Sequence, residues 1–352
     1  VVTGAGVGRK RKDKLLMELL KELNIETQDF EVTHNYANTI VPSCKVKEMF
    51  LKVKRAHNDS IKPQTFKKFA TSVLGAAEYN HFIVCSGYTD YENEDVSDTL
   101  YNYGFDDNYN NWIGVNIPWR ELIKTLVNRV GANNVKFKNG VTKLERTGEG
   151  YNVTTELGDY SGKKIILATT IDSVLKLLPN KKGIYNQIKG QTFLRTYGKF
   201  SKQSKEIMKK HVNSMTIVPG PLQKLIPINP DKGIYMIAYS DNKCAVNLKY
   251  LSEDNEESRS RFCEIIERSL GISIGSLKLL SIKNYFWPIG THYYEPLSED
   301  FRNRGEFIKL AQCPENDIRI VGEMISENQG WVEGALESVK AVITKKWIKE
   351  LK

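Results

Sequence analysis

The stretch Ile318-Arg319-Ile320-Val321-Gly322-Glu323, continued by Met324-Ile-Ser-Glu-Asn-Gln-Gly330-Trp331-Val332-Glu333-Gly334-Ala335 and Leu336-Glu-Ser338-Val-Lys-Ala341-Val342, decides the fold class. Its β-branched opening predicts a short buried strand, because branched side chains fit a pleated surface. The run ends at Gly322-Glu323 and passes through a polar loop into an amphipathic helix. Small residues at Gly334, Ala335, Ser338 and Ala341 let that helix backbone approach a neighbouring element or a ligand. Its N-terminus offers unpaired N–H groups to an anion or an electron-rich oxygen. A buried strand with an acidic residue at its carboxyl end, followed by a Gly-x-x-x-Gly-Ala helix start, suits a large phosphate-bearing cofactor. Spacing alone does not separate this from an ordinary α/β strand-to-helix turn.

At 352 residues the chain can bury a large core and is expected to form two domains. Its 40% hydrophobic and 26% charged residues are ordinary for a globular protein. The longest apolar runs, such as Ile165-Ile166-Leu167-Ala168, are strand-sized and too short to span a membrane. The net charge of +9 comes from scattered lysines, which reads as a solvated basic surface and not as a nucleic-acid site. Cys44, Cys85, Cys244, Cys263 and Cys313 are widely spaced, with no C-x-x-C pair and no histidine cluster. That pattern argues against structural zinc and a disulfide scaffold, and predicts a reducing, cytoplasmic setting.

The front of the chain, Val1-Val2-Thr3-Gly4-Ala5-Gly6-Val7-Gly8, precedes a helix through Leu15, Leu16, Leu19, Leu20 and Leu23. It imitates a dinucleotide-binding turn. Arg9 stands where the third glycine belongs, however, and Arg9-Lys10-Arg11-Lys12 oppose the helix dipole. Glu26–Glu31 does not read as the buried second strand that should follow.

Pro42–Tyr109 reads as short helices with polar, aromatic connections. Pro118 opens a helix over Trp119–Val127. Strands are predicted at Asn134–Phe137, Asn139–Glu145, Tyr151–Thr155 and Lys164–Thr169, then a helix over Ile171–Leu178 stopped by Pro179. Gln191–Phe200, Ser214–Val218, Gly233–Ser240 and Lys243–Leu248 alternate apolar with polar and predict an antiparallel sheet. A helix over Glu256–Leu270, a strand over Ile282–Pro288 and a turn at Gly290–Tyr294 complete the reading.

Taken together, these landmarks resemble the flavin-containing amine oxidase family, the monoamine and polyamine oxidases and their relatives. The carboxyl-terminal run is similar to that family's flavin signature, a strand ending Gly-x-Glu and then Ser-Gly-aromatic-x-Glu-Gly-Ala. The segment Ile282–Pro296 resembles its Trp-x-x-Gly-x-Tyr landmark. Lys14–Ile25 resembles a helix that follows its amino-terminal dinucleotide fold, which implies that the Gly-x-Gly-x-x-Gly segment lies before Val1.

The resemblance implies an α/β fold with a discontinuous, Rossmann-like FAD-binding domain of glutathione-reductase type over 1–25, 112–182 and 286–352. An α+β substrate domain on an antiparallel sheet is implied over 26–111 and 183–285. It implies an FAD-dependent oxidoreductase acting on a small-molecule amine, with hydride passing to flavin N5 and molecular oxygen or another acceptor taking the electrons. Val141, Ala168, Thr169, Trp287, Gly322, Glu323, Gly330, Trp331, Val332, Gly334 and Ala335 would hold the cofactor. Trp331 would form one wall of a substrate cage, and His292 or Tyr293 the other. Thr291 replaces the cysteine that some members link to the flavin, so the FAD is expected to be non-covalent. Arg195 stands where the family often has a lysine facing N5; a permanently charged guanidinium leaves room for an anionic substrate or another reaction. No metal is expected. The alternatives are an isomerase or desaturase of an apolar substrate, and a truncated, non-catalytic flavoprotein.

Overall fold

A computed structural model describes residues 3–349 and divides the chain into two compact units, each assembled from separated segments. One comprises Glu31–Trp112 and Gln191–Thr291; the other runs through Phe30, then Ile113–Gly190, then from His292 onward. Val1 and Val2, the start of the segment that imitates a dinucleotide-binding turn, lie outside the described residues.

The second unit carries the short strands Ile165–Leu167 and Ile318–Ile320, paired in parallel with Ile165 opposite Ile318 and Leu167 opposite Ile320. Their carboxyl ends therefore lie side by side, and Val321 N–H continues the ladder to Leu167 O at 3.0 Å. Val141–Thr147, Gly150–Thr155 and Gly158–Gly162 form an antiparallel meander. The Lys14–Glu22 helix packs against the Val332–Val342 helix, with Leu16 and Leu20 in a core shared with Val115, Ile117 and Leu122. Glu333, 3% exposed, bonds the N–H groups of Leu15 and Leu16, each at 2.9 Å. The amino-terminal helix thus has first-turn donors already occupied by a carboxylate, the group a phosphate would otherwise replace.

The first unit is built on a six-stranded sheet, from Leu279–Tyr294 at one edge through Ile188–Phe200, Ile234–Asp241, Lys224–Asn229 and Thr216–Ile217 to Asn35–Tyr36. One face, including Leu194, Leu225, Tyr235 and Ile237, packs with Phe262 and Ile266 of the Glu256–Leu270 helix. Because side chains alternate across a strand, Arg195 and Lys224 stand on the opposite face. A bundle containing Val46–Ala56, Phe66–Leu74, Ala76–Ser86 and Val96–Tyr101 has its own core, centred on Phe50, Phe66, Phe82, Tyr91 and Phe105. Phe82 and Phe105 stack with ring centroids 5.4 Å apart.

Several sequence expectations need correction. Lys243–Leu248 is not a strand but part of a helix, Asn242–Leu248; Ala245 and Leu248 are buried three residues apart while Val246 points outward. Asn134–Phe137 is not a strand, since the chain turns beside Lys138 with φ +52° and leaves Phe137 exposed. No turn interrupts Gly290–Tyr294. The Leu279–Tyr294 strand runs through it, and at Gly290 an added Cβ would lie 2.8 Å from Phe193 Cβ. Glu26–Glu31 holds no buried strand, in agreement with its sequence; the extended segment Gln28–Val32 is exposed. The strand Lys224–Asn229 was not expected, because Pro227 masks its alternation and a bulge follows it. Cys44 and Cys85 form a disulfide, which the spacing gave no reason to expect.

Candidate functional site

In the second unit, the carboxyl ends of the parallel strands, the loop 323–331 and the start of the Val332–Val342 helix converge. Gly322 has φ +132°, a conformation that glycine adopts without strain, and a Cβ there would meet nothing within 4 Å. The backbone at the strand end therefore faces open space. Gly322 N–H donates to Ser338 Oγ at 2.8 Å, and that hydroxyl donates to Ala335 O at 2.6 Å, tying strand end to helix. Gly334 lets the loop close onto the helix: a Cβ there would collide with the Asn328 carbonyl and the Ser326 hydroxyl. Trp331 occupies the cap position and gives no side-chain cap to the helix. The helix dipole points its positive end toward the loop, where the N-cap residue supplies no side-chain bond and Glu333 is the acidic residue of the first turn.

Glu323 organises this loop. One carboxylate oxygen accepts from Gly330 N–H at 2.8 Å, and the other pairs with His292 Nδ1 at 2.5 Å. His292, 7% exposed, accepts at Nε2 from Ile171 N–H at 3.2 Å. That acceptor role places the ring proton on Nδ1, where it donates to Glu323. His292 is therefore enclosed and engaged at both nitrogens, linking Glu323 to the start of the Ile171–Leu177 helix. Tyr293 is half-buried, and burial raises its phenol above the ordinary range. Trp331 carries the Arg9 guanidinium on its ring face, 3.7 Å from the centroid. Arg9 is itself buried and paired with Asp13 at 2.7 Å.

Ala168 and Thr169 follow the Ile165–Leu167 strand beside this edge, and Val141 opens the meander, half-exposed. The structure thus gathers Gly322, Glu323, Gly330, Trp331, Val332, Gly334, Ala335 and His292 around one loop. Arg195 and Trp287 belong to the other unit.

The first unit holds a second concentration of polar groups that the sequence did not announce. Lys224, 1% exposed, lies over the Tyr88 ring and 5.5 Å from the centroid of Tyr239, and its Nζ finds no hydrogen-bond acceptor among the described residues. Arg195 sits 4.8 Å from the same Tyr239 ring and donates to its hydroxyl at 3.3 Å. Asp241 accepts from Thr89 N–H at 2.8 Å, Thr89 Oγ1 at 2.5 Å and Gln223 Nε2 at 2.9 Å. Asp90 accepts from Tyr103 Oη at 2.8 Å. Burial drives Lys224 well below the usual ammonium range. Burial, reinforced by the Asp241 charge, pushes Asp90 up to about 7.

The pH consequence has a definite sign. Unfolded Asp90 loses its proton near pH 4 and folded Asp90 near 7, so the folded state binds more protons across that window. Stability should fall as pH rises from about 4 to about 7 and level off above it. Asp241, also raised by burial, works in the same direction. Asp90→Asn should flatten part of this descent in a plot of Tm against pH; an unchanged slope would remove Asp90 as its source.

The fold is similar to that of putrescine oxidase. Two solved structures of putrescine oxidase, a double mutant and a single mutant from a structure-based redesign of cofactor binding, each match it with a TM-score of 0.72 at 12% identity. The matches cover 98% and 99% of this chain and 88% of each of theirs. No family model matches the sequence and no curated protein matches it, so the likeness is one of fold. No helix among the described residues is long and apolar enough to cross a membrane.

Proposed function

We propose that the chain is an FAD-dependent amine oxidoreductase, with the flavin held non-covalently at the carboxyl edge of the parallel strands. The observation that carries this reading is the open backbone at Gly322 beside the start of the Val332–Val342 helix, whose N-cap residue Trp331 makes no side-chain cap hydrogen bond. The fold likeness to putrescine oxidase supports it. Gly322, Glu323, Gly330, Val332, Gly334 and Ala335 would hold the cofactor, with Ala168, Thr169 and Val141 as further contacts. When bound, the flavin supplies a two-electron acceptor for the amine α-carbon and passes the electrons to oxygen.

The protein's own part is to orient and to stabilise charge. The N–H groups around Val332 would stabilise negative charge developing at the cofactor edge, as donors in an oxyanion hole do. His292 acts as a positioning residue, fixing the Glu323 carboxylate. Trp331 presents to the substrate nitrogen the ring face that Arg9 does not cover, with Tyr293 as a second wall.

The test is retention of added FAD after desalting, read by visible absorption, then anaerobic bleaching by a panel of amines and peroxide release in air. No retained flavin would sink the proposal. Glu323→Ala should lower flavin occupancy severalfold while the thermal transition shifts only a few degrees. Equal flavin content in the variant would take Glu323 out of the site.

A further inference from the structure

Cys44, His81 and Cys85 come together in the first unit, although 41 residues separate the two cysteines. His81 and Cys85 lie one turn apart on the Ala76–Ser86 helix, with Sγ to Nε2 at 3.4 Å. Cys44 reaches them from the irregular segment before the Val46–Ala56 helix, and one ligand atom from each residue lies within 4.8 Å of the others. Cys85 is fully buried, whereas Cys44 and His81 are partly exposed.

A disulfide needs no imidazole beside it. Two thiolates and an imidazole, by contrast, are a donor set that zinc prefers, and neutral imidazole can bind the metal through Nε2. Bond lengths to zinc of about 2.3 Å for sulfur and 2.0–2.1 Å for nitrogen put tetrahedral ligands roughly 3.4–3.8 Å apart. The Cys85–His81 separation already suits that geometry. Only the two sulfurs have to part, and Cys44 is on the side that is not fixed in a helix.

We propose that Cys44, His81 and Cys85 form a redox-gated zinc site: the reduced residues bind one Zn²⁺ through two thiolates and one imidazole, and the disulfide is the oxidised, metal-free form. The fourth ligand is water, entering from the exposed side. The oxidant is a peroxide. The two thiolates give up two electrons and form the S–S bond; the peroxide O–O bond breaks and takes two protons to yield two waters; Zn²⁺ leaves as the hydrated ion. The site stands independently of whether flavin binds.

The experiment uses the full chain, reduced with a phosphine, freed of reductant under anaerobic conditions and titrated with Co²⁺. One Co²⁺ per chain should bind, with a thiolate-to-cobalt charge-transfer band that Zn²⁺ abolishes by displacement. Hydrogen peroxide should release the metal and restore the Cys44–Cys85 bond, read by peptide mass mapping. Cys44→Ser should remove the band, and Cys313→Ser, at an exposed thiol elsewhere, should leave it intact. His81→Ala should weaken binding beyond the 10–100-fold typical of losing a mere supporting partner, roughly. His81 is partly exposed, so this variant keeps the test open if Cys44→Ser fails to fold. A folded, reduced chain that binds no Co²⁺, or a band unchanged by His81→Ala, would overturn the proposal and leave an ordinary disulfide.

Discussion

Asp241→Ala is expected to lower the stability of the chain by about 3–5 kcal/mol, the usual cost of breaking a buried, hydrogen-bonded charge cluster from one side. Asp241 is 1% exposed and ends the Ile234–Asp241 strand, where three donors converge on its carboxylate. Its own N–H donates to Gln223 Oε1 at 2.7 Å, so the Gln223 amide and Asp241 bond reciprocally. Alanine would leave Thr89 and Gln223 with unmet donors and Lys224 with one fewer neighbouring negative charge. Denaturant unfolding at pH 7 measures the loss. The double variant Asp241→Ala with Lys224→Met should recover part of it, because the buried amine without a hydrogen-bond acceptor is removed as well. A single-variant loss below about 1 kcal/mol would show that water reaches the cluster and satisfies it.

Gly334→Ala sets two principles against each other, and their signs differ. Helix propensity alone favours alanine over glycine by about 0.8–1 kcal/mol inside a helix. The contact opposes it, since the new methyl would press on the Asn328 backbone carbonyl and the Ser326 hydroxyl. The serine can rotate, but the carbonyl belongs to a loop pinned by Asn328 to Glu337 and by Tyr294 Oη to Ser326 O. We expect the contact to win, with a net loss of about 2–3 kcal/mol, the upper part of the range for overpacking. Flavin retention should fall with it, because Gly330 and Glu323 lie in the displaced loop. A stabilised variant with normal flavin content would mean that the loop moves freely and that Gly334 is not needed for close approach.

The carboxyl-terminal site was legible where its information is local. The β-branched Ile318–Ile320 strand, the small residues of the Val332–Val342 helix and the acidic Glu323 all declare themselves within a few positions. What they bond to was not legible. Glu333 looks like one more polar residue until the structure sets it on Leu15 and Leu16, more than three hundred positions away. His292 suggested a cage wall because an aromatic turn was expected around it; a continuous strand instead directs it to Glu323 and Ile171.

The polar cluster was hidden for a different reason. Lys224 lies on a strand with a proline at its fourth position, and a lysine at a strand's start ordinarily reads as solvated. Its burial depends on Gly87, which has φ +66° and leaves only 2.8 Å between an added Cβ and Lys224 Cε. Cys44 and Cys85 carry no spacing signal, because an irregular segment and a helix from different parts of the bundle bring them together. Nothing within a short window encodes any of these meetings.

The interleaving of the two units also constrains how the chain emerges from a ribosome. The Ile165–Leu167 strand cannot find Ile318–Ile320 until about 150 more residues have been made, whereas the sheet-bearing unit has its last segment once Thr291 is out. At about 5–20 residues per second, roughly 1.5–6 s separate those two moments. During that interval the sheet unit can condense while the strand that bears Ile165 waits without its partner, with Ile166 half-exposed even in the finished fold. The nascent protein is therefore most vulnerable to misassociation during that interval, and a ribosome stalled just after Thr291 has emerged should present an ordered sheet unit beside a protease-sensitive remainder.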